Sequence, residues 1–122
     1  MSINVEERYQ ASIVRIKGKF LGSIQGPEFK ELIEDLKSEG KLQVVVDLGK
    51  TTFIDSSGVG TLIAALTTLR NAGGDLRLAR THDRVHGVFV MTRLLGSAFA
   101  HFDTVEEALN SFKEQPEQAS TS

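Results

Sequence analysis

A chain of 122 residues that is 40% hydrophobic and 25% charged fits one domain with its own core, close to globular averages, which argues against disorder, collagen and coiled coil. Sixteen Asp and Glu against fourteen Lys and Arg leave a net charge of −2, scattered along the chain, so neither a basic stripe for nucleic acid nor a charge block for a membrane surface is expected. The absence of cysteine excludes disulfides and thiolate metal sites, which is compatible with a reducing compartment.

Residues Met1 to Glu7 have neither a basic n-region nor an apolar h-region, and no run approaches the roughly 18 apolar residues needed to span a bilayer. The expected location is cytoplasmic. Ile3 and Val5 alternate with Asn4 and Glu6, and Val14 and Ile16 with Arg15 and Lys17; this period of two predicts two half-buried strands joined as a hairpin. Gly26-Pro27 then opens a helix carrying Phe29, Leu32, Ile33 and Leu36, with Gly40 as its stop.

Leu42 to Leu48 is too short for an ordinary helix and rich in β-branched residues, as expected of a central strand covered on both faces. Phe53-Ile54 leads into Asp55-Ser56-Ser57-Gly58, where a second helix begins; its apolar stripe of Val59, Leu62, Ile63, Leu66 and Leu69 ends near Gly73-Gly74. A strand follows around Leu76 and Leu78, then a helix around Val85 to Thr92, then a short strand over Ala98 to Phe102. Thr104-Val105-Glu106-Glu107 has capping-box spacing before Ala108, Leu109 and Phe112. Residues 1–113 are read as the domain, and 114–122, polar and without an apolar anchor, as a disordered tail. The fold class is therefore α/β: a mixed sheet of about five strands that starts with a β-hairpin, with about four helices packed on it.

The segment that looks chemical is Thr52 to Leu62. A helix N-terminus exposes unpaired N–H groups and the positive end of the macrodipole, so a phosphate on Ser56 or Ser57 would find donors nearby. The structural reading of the same residues is that Asp55, Ser56 or Ser57 caps the helix, and the two readings are compatible. Spacing alone does not choose between the serines.

Phe53-Ile54-Asp55-Ser56-Ser57-Gly58-Val59-Gly60 resembles the signature loop of STAS domains, the family of bacterial anti-sigma factor antagonists. Val44-Val45-Val46-Asp47-Leu48, Gly73-Gly74-Asp75-Leu76 and Phe102 to Leu109 extend the resemblance over about residues 3 to 113. It implies a partner switch: the unphosphorylated protein binds an anti-sigma factor serine kinase and frees a sigma factor, phosphorylation of the serine after the loop aspartate, here Ser56, breaks that hold, and a serine phosphatase restores it. Asp55, Ser57, Gly58, Val59 and Gly60 would belong to the docking surface. A departure occurs after the second strand, where the family places an acidic residue and this chain has Gly18-Lys19-Phe20-Leu21-Gly22-Ser23. Phe20 and Leu21 are read as a further contact patch if exposed, or else as a buried strand end.

Other chemistries find less support. Gly58-Val59-Gly60-Thr61 lacks the lysine of a phosphate-binding loop and the third glycine of a dinucleotide fingerprint, although an anion or nucleotide could still bind the helix terminus. His82 and His86 lie one helical turn apart but have only Asp83 near them, so they are read as surface residues, and His101 is given no role. No nucleophile, base and oxyanion site is specified by the spacing, so no catalytic residue, metal or cofactor is expected. The alternative function is a STAS accessory module that is not phosphorylated, serving a transporter or a signalling assembly.

Overall fold

Ile3 and Val5 stand opposite Ile16 and Val14 in an antiparallel pair, so one face of the opening hairpin is apolar along its length. The computed structural model describes residues 2–9, 11–81 and 98–112. The hairpin consists of β1 (Ser2–Glu7) and β2 (Ser12–Phe20). It is followed by α1 (Gly26–Ser38), β3 (Gln43–Asp47), β4 (Thr51–Ile54), α2 (Ser56–Asn71), β5 (Asp75–Ala79) and β6 (His101–Phe102), after which residues 105–112 are helical.

The six strands form one mixed sheet in the order β1-β2-β3-β5-β6, with β4 branching off beside β2. The branch has a local cause. Residues 12–15 of β2 pair in parallel with β3, whereas residues 18–20 pair with β4, and the register shifts at Gly18, which has a φ of 91°. A single strand thus serves two partners, and its end is turned toward the loop that enters α2.

Val44, Val45 and Val46 are fully buried because β3 lies between two layers. Val44 and Val46 belong to a larger core with Val14, Ile16, Phe20, α1 and α2; Val45 belongs to a smaller one with Ile13, Ala79, Ala108, Leu109 and Phe112. Each fully buried valine of this kind contributes roughly 1.5–3 kcal/mol of transfer free energy. Both faces of the central strand are covered, as the sequence predicts.

Pro27 sits in the first turn of α1, and Gly40, with φ 77°, follows its end. Gly73, with φ 96°, similarly follows α2. Thr104 accepts a bond from the Glu107 N–H at 3.1 Å, the first half of the predicted capping box. The sheet has six strands rather than about five, because Thr51–Ile54 forms a strand of its own. Three helical segments lie among the described residues; the fourth expected helix, around Val85 to Thr92, lies outside them, as do His82, His86 and the expected tail over 114–122.

Candidate functional site

Asp55 stops β4 and starts α2. Its backbone is extended (φ −95°, ψ 175°), and its Oδ1 accepts from the Gly58 N–H at 2.6 Å while its carbonyl accepts from the Val59 N–H at 3.0 Å. The sequence left three candidate caps; the aspartate is the one that caps. The same oxygen accepts from the Gly22 N–H at 3.1 Å and from Ser57 Oγ at 3.1 Å. The Gly22 amide, ahead of the Gly58 amide and the Ser57 hydroxyl, holds the Asp55 carboxyl below the usual carboxylate range despite an opposing push from desolvation.

This arrangement distinguishes the two serines. Ser57 is exposed, but its hydroxyl is held by Asp55, and its carbonyl accepts from Thr61 Oγ1 at 3.0 Å. Ser56, the first residue of α2, is exposed, and its hydroxyl has no partner among the described residues. The amides of Ser56 and Ser57 have no intrahelical acceptor, as expected at the first positions of a helix. A phosphoryl group on Ser56 would stand at this positive helix end.

Close packing holds the loop after β2 against the helix mouth. A Cβ on Gly22 would lie 2.3 Å from the carbonyl carbon of Ser57, and one on Gly58 would lie 2.7 Å from the carbonyl oxygen of Phe20. Gly60 would meet nothing within 4 Å and is exposed. Gly22 is a residue the sequence reading missed; its signal was only a glycine in a loop, since the close approach depends on a segment far along the chain.

The expected contact patch needs correction at three positions. Phe20 is 0% exposed and meets Phe29 edge-on at a centroid distance of 5.4 Å, because the alternation that buries Val14 and Ile16 continues through Gly18 to Phe20. Val59 points from α2 into the same core, and Gly58 is buried beneath the carbonyl of Phe20. Leu21 is partly exposed, and Phe53, at 46% exposure, joins it with Lys19 and Thr52 around a shallow hollow of about 390 Å³. Phe53 and Ile24, 65% exposed, are apolar surface residues near this mouth to which the sequence assigned no role. Asp55, Ser56, Ser57, Gly60 and Leu21 remain at the surface in whole or in part.

A profile of the STAS domain matches residues 2–108. An anti-sigma-B factor antagonist of Staphylococcus aureus is 26% identical over 95 residues, covering 77% of this chain and 88% of that protein. Among solved structures, an anti-sigma factor antagonist from Mycobacterium paratuberculosis has a TM-score of 0.80 at 20% identity, covering 92% of this chain and 93% of that one. The Bacillus cell fate determinant SpoIIAA in its phosphorylated form has a TM-score of 0.70 at 20% identity, covering 90% and 98%. These two structural likenesses show the fold.

Proposed function

Because the chain belongs to the STAS domain family, we propose that it is an anti-sigma factor antagonist switched by phosphorylation of Ser56. The observation that carries this reading is the contrast between the serines: Asp55 occupies the Ser57 hydroxyl, while the exposed Ser56 hydroxyl has no partner among the described residues. In this reading the unphosphorylated protein docks on an anti-sigma factor serine kinase in the cytoplasm through Asp55, Ser56, Ser57 and Gly60, with Leu21 and Phe53 as apolar contacts. Docking releases the sigma factor, and a serine phosphatase resets the switch.

The names of the curated relatives support the antagonist role, and the phosphorylated neighbour shows that one member of the fold carries the modification. The chemistry is consistent with it. A phosphoserine adds about 1.5 to 2 negative charges, and one unit charge facing another at about 5 Å is repelled by roughly 3 kcal/mol at an effective dielectric of 20. That is about a hundredfold in affinity, so a partner carboxylate near Ser56 would suffice and no refolding is needed. No helix among the described residues is long and apolar enough to cross a membrane.

The test is to incubate the protein with ATP and the serine kinases of its own cell and to measure intact mass. Wild type and Ser57→Ala should gain one phosphoryl group, and Ser56→Ala none. If no kinase modifies wild type, the unphosphorylated accessory module becomes the better reading.

A further inference from the structure

A second concentration of charge lies where Asp47 ends β3 and Arg80 follows β5. By strand alternation Asp47 shares the face on which Val45 meets the C-terminal helix, and Arg15 stands beside it across the parallel pair. Asn4, Arg15, Lys17, Asp47, Lys50 and Arg80 surround a cavity of about 320 Å³, at the lower end of the size range of small-ligand sites.

We propose that this cavity binds a small, soluble phosphate-bearing anion. Its carboxylates are already committed. Asp47 receives Arg80 Nε and Nη2, each at 2.8 Å, and the Gly49 N–H at 2.9 Å, with Arg15 Nε at 3.3 Å. Glu6, nearby, is paired with Arg15. Lys17 and Lys50 are both exposed and make no ion pair with a described residue, so the cavity keeps an excess of positive charge.

Arg80 is held in place for this role. It is the sole residue other than glycine with a positive φ, 58°, among the described residues, and it is fixed there by the fork on Asp47. A Cβ on Gly49 would lie 2.5 Å from its guanidinium carbon, so the turn after β3 fits closely around that group. Nε and Nη2 face Asp47, which leaves Nη1 without a partner among the described residues and available to a phosphate oxygen. The cavity lies beside the carboxyl ends of β3 and β5.

The experiment is a titration of the isotope-labelled full chain with pyrophosphate at low salt, followed through the backbone amide signals. Saturable shifts are expected at Lys17, Lys50 and Arg80, with a dissociation constant of about 1 mM or tighter. Binding should fall roughly tenfold in Lys17→Ala/Lys50→Ala, and also fall as salt rises. Both lysines are exposed, and the dispersion of the same spectra reports that the variant is folded. No saturable shift, equal affinity in the double variant, or shifts centred on Ser56 would each overturn the proposal. Vesicles of phosphatidylglycerol separate a lipid headgroup from a free anion: the protein should stay in the supernatant, and cosedimentation without any pyrophosphate response would refute a soluble ligand.

Discussion

The amide of Gly22 donates to the carboxylate of Asp55 at 3.1 Å, joining residues 33 positions apart at the mouth of α2. The aspartate is therefore both the cap of the helix and the anchor of the loop between β2 and α1. Any change in that carboxylate reaches Gly22 and Ser57 together, so the loop after β2 and the first turn of α2 form one unit.

Two glycines near this mouth should respond oppositely to alanine. Gly22→Ala forces a methyl group into backbone atoms of Ser57, 2.3 Å away, and should destabilise by about 1–3 kcal/mol. Gly60→Ala enters open space within a helix and should stabilise by up to about 1 kcal/mol. Urea unfolding of the two variants checks the contrast; the same sign in both would mean that the close approach at Gly22 is not as described.

Asp55→Asn preserves a good capping residue but removes the charge, so it isolates the electrostatic part of the cap. The folded carboxyl titrates below its unfolded value, so its contribution is fully present above the ordinary aspartate range and is lost as pH falls through the lowered folded value. Wild type should exceed Asp55→Asn by about 0.5–1 kcal/mol at neutral pH, and the two should converge in acid. Unfolding curves across that range test this, and a gap independent of pH would contradict it.

How much of this was legible depends on distance along the chain. Ile3, Val5, Val14 and Ile16 announce the hairpin by their period, and Pro27 and Gly40 bracket α1 by local conformational preference. The onset of α2 was visible, but not that Asp55 rather than a serine caps it, because that choice depends on the Gly22 loop as well. The bend of β2 at Gly18 was invisible, since a shift of partner from β3 to β4 leaves no periodic signature. Phe20 could have been assigned to the core by carrying the alternation of Val14 and Ile16 two steps further.

The pairing of Asp47 with Arg80 was likewise hidden by sequence separation, and it should be a large stabilising contact. Burial pushes the Asp47 carboxyl up, but the Arg80 fork, the Gly49 amide and the charges of Arg80 and Arg15 outweigh it and hold the group below its ordinary value. Arg80→Ala should cost about 2–3 kcal/mol, less than the roughly 3–5 of a fully buried pair because Arg80 is partly exposed and Arg15 remains. The loss should shrink as pH falls and Asp47 protonates, since its stabilisation exists only above the lowered folded value. Chemical denaturation at neutral and acid pH measures both effects, and a neutral change below about 0.5 kcal/mol would show the pair to be incidental.

The proposed partner switch is tested most sharply at Ser56. Ser56→Asp places one negative charge at the exposed start of α2, whereas Ser56→Ala leaves the helix mouth neutral apart from Asp55, and neither disturbs a side-chain hydrogen bond among the described residues. With the cognate anti-sigma kinase, Ser56→Ala should bind as tightly as the unmodified protein, and Ser56→Asp roughly tenfold to a hundredfold more weakly. Phe53→Ala, which removes an exposed ring without touching the charge, should also weaken binding. Calorimetry of the four proteins against one kinase preparation separates the terms. Equal affinities for Ser56→Ala and Ser56→Asp would mean that charge at this hydroxyl does not govern docking, whatever the role of Phe53.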